Sequence, residues 1–297
     1  MLLLENSYFN VELYYNNEIV GFAPSGRIAL TDDYRIDWKN ISFFRKAVFS
    51  HQMPRQYLIK VYLVNPIIGD EKEFIGFQNI DLEEDAEVHI NCKSQGKIDL
   101  IFNSQNNEGV KNVETHVLKD DFVVQKSYSG TDGNITIGLP VGLSEKYVLK
   151  YYYKGFLIDE EEINLNFLNN LFPIKKNIDV EVYDFEVKIS DPSGGKPDLD
   201  LEISMTSGNM QNPVVLTPDS YENGVYSFEK IVPAEYNLTI EYDSTKVTET
   251  INIPEIDSFE VTLNDLTIGL KDLWDFDFKS DEVLVFLKGF NFTVKSI

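Results

Sequence analysis

The chain has 297 residues, is 43% hydrophobic and 13% aromatic, and carries a formal net charge of −23 from 26 Lys+Arg against 49 Asp+Glu. That apolar content can build real cores, which excludes a disordered chain, and the length suits about two or three domains. The acidity repels nucleic-acid phosphates and anionic membrane surfaces, so neither is an expected partner.

Met1-Leu2-Leu3-Leu4 is followed at once by Glu5, with no basic flank and too short an apolar run for a secretory signal. The start therefore reads as cytoplasmic, and no run reaches membrane-spanning length or resembles a lipid or wall anchor. Residues 1–92 read as an N-terminal β domain. Phe9 to Tyr15 alternates apolar and polar residues, Asn16-Asn17 is a turn signal, and Glu18 to Phe22 returns as a hairpin. Arg27 to Leu30 suggests a third strand, residues 41–51 fit either a helical turn or a strand, and Tyr57 to Val64 is a strong strand. Ala86 to Cys92 reads as another, with Val88, Ile90 and Cys92 on its buried face. Cys92 is the single cysteine, which excludes an intrachain disulfide.

Two further regions, 93–176 and 177–265, share one plan. Each has an opening strand, at Ile98 to Phe102 and Tyr183 to Ile189. Each then has a polar turn and a second strand, at Val113 to Leu118 and Leu201 to Met205. A signature follows in both: a turn with Asp132-Gly133 or Asn223-Gly224, a strand, an apolar-Pro corner at Pro140 or Pro233, and a strand from Tyr147 or Tyr236. Asp-Gly and Asn-Gly supply the positive φ of a tight turn. Tyr147, Leu149, Tyr236 and Leu238 are expected to point inward. Closing strands are read at Glu161 to Leu165, and at Val247 to Ile253 and Phe259 to Leu263, with a connector from Asn169 to Asn177. Residues 266–297 are too short to fold alone, so a hairpin of Glu282 to Leu287 and Phe290 to Lys295 is expected to dock on a neighbour.

The fold class expected is all-β, as tandem Ig-like or transthyretin-like antiparallel β-sandwiches. The series Gly224, Tyr226, Phe228, Pro233, Tyr236, Leu238 resembles the transthyretin-like sandwich of carboxypeptidase-regulatory repeats, and less closely the B-type repeats of collagen adhesins. The first copy keeps Gly133, Pro140, Tyr147 and Leu149, with Ile135 and Ile137 in place of the aromatics. The resemblance implies spacer, stalk or adhesion modules. It also implies an isopeptide trio, for which Lys188, Glu241 and Asn264 are the matching residue types. The first two fall on the outward parity of their strands, which argues against the crosslink.

No nucleophile elbow, phosphate loop or dinucleotide fingerprint occurs. His51 lies near a Pro-containing turn, and His89 and His116 read as solvent-facing strand residues, with no metal-ligand spacing. The acids at 81–85, 159–162, 198–200 and 275–277 read as solvated faces, with loop calcium at Asp191, Asp198 and Asp200 as a minority reading. No catalytic residue, cofactor or metal is expected. The function expected is that of a non-enzymatic virus-particle protein, decorating a capsid or associated with a tail. Phe43, Phe44, Phe49, Phe286, Phe290 and Phe292 would then bind the protein lattice. The alternatives are a cell-surface adhesion array or an accessory module of a carbohydrate-active enzyme.

Overall fold

The computed structural model describes residues 8–15, 35–41, 46–52, 54–64, 72–190, 201–242, 245–263 and 292–295. The chain falls into two compact units, residues 1–153 with 157–180, and residues 154–156 with 181–297.

The first unit opens with a four-stranded antiparallel sheet. Its strands are β1 (Tyr8–Tyr15), β2 (Arg35–Ile41), β3 (Arg55–Val64) and β4 (Lys72–Leu82), in the order β2-β1-β3-β4. Period-2 alternation sends Val11 and Val61 to one face, where they meet Ile75 and are packed by Ala47, Phe49 and Ile90. The opposite parity of β1 carries Asn10 and Glu12, both buried. They are satisfied there: Lys72 Nζ donates to Glu12 Oε1 at 2.7 Å and to Asn10 Oδ1 at 3.1 Å, and Asn10 donates to Asn40. Strand β2 was not read in the sequence and shares only Ile41 with the region read as ambiguous; residues 46–51 of that region form neither strand nor helix, the readings at Glu18 to Phe22 and Arg27 to Leu30 lie outside the described residues, and residues 85–93 form no strand. That segment crosses the apolar face instead, and Lys93 N–H donates to Ile75 O at 2.7 Å. Cys92 is exposed rather than a buried hydrophobe.

The first sandwich runs from residue 94 to 180. One sheet holds β5 (Ser94–Ser104), β8 (Asn134–Val141) and β11 (Ile174–Val180) in the order β11-β5-β8. The other holds β6 (Glu114–Lys119), β7 (Phe122–Tyr128), β9 (Glu145–Tyr153) and β10 (Phe156–Leu165) in the order β10-β9-β6-β7. Alternation buries Ile98, Leu100 and Phe102 of β5 against Tyr147, Leu149 and Tyr151 of β9. The Phe102 and Tyr151 rings meet edge-on across the layers at 5.3 Å. The stretch read as a connector is in fact a 3₁₀ turn, Phe167–Asn170, followed by β11, which pairs parallel to β5.

The second unit repeats the plan. The strands β12 (Tyr183–Ser190), β14 (Ser220–Glu222), β15 (Val225–Ile231), β18 (Ser258–Leu263) and β19 (Phe292–Lys295) make one sheet, ordered β14-β15-β12-β18-β19. The other contains β13 (Glu202–Thr206), β16 (Ala234–Tyr242) and β17 (Thr245–Ile253), ordered β13-β16-β17. Closing strand β18 again lies parallel to opening strand β12. The copies differ in the strand after the second one: β7 pairs with β6, whereas β14 pairs with β15. The all-β expectation holds, and each sandwich departs from a purely antiparallel one by a single parallel pair.

Both signature copies occupy equivalent strands. Gly133 and Gly224 have φ of 78° and 84°. Tyr147, Leu149, Tyr236 and Leu238 all lie at 2% exposure or less. Each Tyr hydroxyl donates back to the corner, Tyr147 to Pro140 O at 2.5 Å and Tyr236 to Val232 O at 2.7 Å. Burial pushes both phenols above their ordinary pKa, so they stay protonated donors. Tyr236→Phe should therefore strand the Val232 carbonyl and cost about 1–2 kcal/mol in denaturant unfolding. A change well below that would show that the carbonyl finds another donor.

Candidate interaction surface

Most large apolar side chains of the sandwiches among the described residues are buried or half-buried, so a cluster of exposed ones is informative. The first copy of the signature has a longer corner than the second, and the extra chain, Gly142-Leu143-Ser144, projects Leu143 at 85% exposure. Directly beside it is the turn before β11, because Phe167 N–H donates to Gly142 O at 3.2 Å. This turn is held by a reciprocal cap: Asn166 Oδ1 accepts from Leu168 N–H at 2.9 Å, and Asn169 Oδ1 accepts from Asn166 N–H at 2.8 Å. Asn169 also donates to Phe172 O at 3.2 Å. With the backbone satisfied locally, Phe167, Leu168, Leu171 and Phe172 stand out at 49%, 50%, 75% and 71% exposure. The two loops together form an apolar tip.

Charge around the tip is unusual for this chain. No acid occurs from Ile163 to Ile178, although 49 of 297 residues are Asp or Glu. Lys175 is exposed at the start of β11, and Lys176 pairs with Glu161 at 2.6 Å. The nearest acid along the corner, Glu145, is enclosed by Lys93 and by Lys119 at 3.1 Å. Burial works to raise the Glu145 pKa, but the hydrogen bonds and charges of the two lysines outweigh it and hold the carboxyl below its ordinary 4.5. A depressed carboxylate stabilises the fold above its unfolded pKa and loses that contribution as pH falls through the folded value. Glu145→Gln should cost about 1 kcal/mol at pH 7, and the gap from the wild type should close as pH falls below the ordinary carboxylate range and through the lowered pKa of the folded state. A gap constant with pH would show that the effect is not ionic.

A second polar group sits on the outer face of β6. His116 Nε2 lies 2.6 Å from Glu114 Oε1, and its ring lies 4.7 Å from that of Tyr152. The imidazole keeps 12% exposure, so it is covered rather than solvent-facing as its parity suggested. Tyr152, on the adjacent strand, lies over it. Desolvation opposes the Glu114 carboxylate, yet the hydrogen bond from His116 and the charges of His116 and Lys126 keep its pKa low. His89 is exposed, as expected.

Among the described residues no group of three or more His, Cys, Asp or Glu could hold a metal, and no helix is long and apolar enough to cross a membrane. The loop with Asp191, Asp198 and Asp200 lies outside the described residues, as do Phe43, Phe44, Phe286, Phe290 and Asn264. Phe49 is half-buried on the N-terminal core, with Lys39 Nζ 5.7 Å from its ring centroid. Phe292 begins β19, opposite Leu263 of β18. Lys188 and Glu241 are both half-exposed, in agreement with their outward parity. The apolar tip was missed in the sequence. Its signal was the acid-free run containing Phe167-Leu168 and Leu171-Phe172.

No protein-family model and no curated protein matches the chain. Among solved structures it is similar to a mutant of the shaft pilin spaA from Lactobacillus rhamnosus GG. Identity is 9% over 59% of this chain and 100% of that one, with a TM-score of 0.35. It is similar to a streptococcal ancillary pilin at 14% identity over 87% and 92% of the two chains, with a TM-score of 0.28. It is also similar to the TIE protein of Bacillus anthracis at 14% identity over 87% and 51%, with a TM-score of 0.25. At these identities and scores the likenesses assign neither family nor function, and the virus-particle expectation gains nothing from them.

Proposed function

We propose that the chain is a non-catalytic structural and adhesive module of a cell surface, whose tandem sandwiches hold a binding surface at their loop ends. The observation that carries this reading is the apolar tip of Leu143, Phe167, Leu168, Leu171 and Phe172, held outward by a capped turn on a sandwich whose other large apolar side chains are mostly buried. Exposed apolar groups of this size on a rigid loop mark a protein contact. In this reading the surface acids keep neighbouring copies soluble. The aromatic anchors at Phe43, Phe44, Phe49, Phe286, Phe290 and Phe292 belong to the capsid or tail reading, which no structural observation favours.

Beads coated with the full chain are expected to adhere to cells or to matrix-protein films. A triple variant, Phe167→Ser, Leu171→Ser and Phe172→Ser, should reduce adhesion several-fold without changing the circular dichroism spectrum. Equal adhesion by both proteins would overturn the reading, as would hydrolysis of a glycan panel by the purified chain.

A further inference from the structure

The N-terminal sheet carries a feature that the tip fits. Between the apolar face of the sheet and the two segments crossing it, 46–52 and 83–92, lies an open groove with a volume of ≈ 1170 Å³. Its floor is made by Val11, Leu13, Tyr57 and Val61, and its walls offer the half-buried Ile59, Val88 and Ile90 to an entering group. One rim carries Glu83, Glu84, Asp85 and Glu87, all exposed, and the lining lysine, Lys46, is held by Glu87 at 2.5 Å. The groove is therefore concave, apolar within and acidic at its edge. The tip of the first sandwich is convex, apolar and acid-free, with Lys175 beside it.

We propose that these two surfaces bind each other between copies, so that the tip of one chain docks in the groove of the next and the protein associates head to tail. A chain of net charge −23 repels its copies over most of its surface, so self-association must use a place where the sign is complementary. The lysine-flanked tip against the acidic rim is such a place, whereas tip against tip would bring like charges together. Each copy retains one free tip and one free groove, so the contact is heterologous and adds copies in series. The contact is small, so it is weak between single pairs. This inference rests on the tip being a binding surface and specifies its partner as a second copy.

The test is sedimentation velocity of the full chain over a concentration series up to its solubility limit. The weight-average sedimentation coefficient should climb without a plateau, and less steeply in high salt. The tip variant above should remain monomeric. A rim variant, Glu83→Lys, Glu84→Lys and Asp85→Lys, should also remain monomeric, even though it is less negative and its copies repel each other less. An equimolar mixture of the two should form heterodimers and nothing larger, since the pair retains one intact tip and one intact groove. Both variants change exposed side chains only, and retained circular dichroism excludes misfolding as the cause; single Leu171→Ser serves should the triple variant misfold. A wild type that is monomeric throughout would overturn the proposal. So would a closed dimer lost in the tip variant but kept in the rim variant, or a mixture that forms no complex. A monomeric wild type with tip-dependent bead adhesion would remove this inference and leave the proposed function standing.

Discussion

Gly133→Ala is expected to destabilise the first sandwich by about 3–4 kcal/mol, the sum of a left-handed backbone penalty and lost hydrogen bonds. Gly133 has a φ of 78°, and a Cβ there would stand 2.2 Å from Phe102 O and 3.0 Å from both Gly109 Cα and Val110 N. All three neighbours are backbone atoms, so no side chain can swing away. Relief requires the turn to move off β5, which breaks the bond from Phe102 N–H to Gly133 O and strains that from Val110 N–H to Phe102 O. For a sandwich of this size the loss corresponds to roughly 15–25 °C in Tm. Gly208→Ala is the control, because nothing lies within 4 Å of its added Cβ and its φ is ordinary. Equal stability of the two variants would show that the Gly133 turn is not packed against β5.

The second large effect is expected in the other sandwich. Phe228, on β15, is fully buried, and its ring lies 6.2 Å from that of Phe185 on β12. Phe228→Ala should cost about 3–5 kcal/mol through lost burial and the cavity left behind. Phe228→Leu should recover more than half of it, since the cavity shrinks. Denaturant unfolding followed by hydrogen exchange at residues 225–231 reads this directly. A cost below about 1 kcal/mol would place Phe228 outside the core.

Legibility in the sequence followed the physics of alternation. Strands β5, β6, β8, β9, β12, β15 and β16 each have one core face and one wet face, so a period-2 pattern marks them. Strand β4 was missed because Gly76 and the polar Gln78-Asn79 interrupt the pattern, and the β3–β4 register slips between Val61 and Tyr62. Strand β11 was missed because Pro173 precedes it and Lys175-Lys176-Asn177 break the alternation, although Ile178 and Val180 are buried. The opposite error occurred at Ala86 to Cys92. That segment alternates because it lies on an apolar face, but it does not join the sheet as a strand. Alternation reports burial, not hydrogen-bonded pairing.

The proposed binding surface was less legible for two reasons. Exposure of Phe167, Leu168, Leu171 and Phe172 depends on how Asn166 and Asn169 cap the turn, and an Asn-rich stretch before Pro173 reads as a connector. The groove depends on two extended segments lying across a sheet, and no sequence period encodes that placement. His116 illustrates the same limit on a smaller scale: parity assigned it outward correctly, but cover by Tyr152 comes from the adjacent strand.

The most direct measurement is amide hydrogen exchange on the full chain at low and at high protein concentration. Head-to-tail docking through the tip predicts slower exchange at high concentration in residues 142–144 and 166–172 on one side of the contact, and in 83–90 on the other. Unchanged exchange in those segments, with new protection confined to 43–49 or 286–292, would contradict the account and return the binding surface to the aromatic termini.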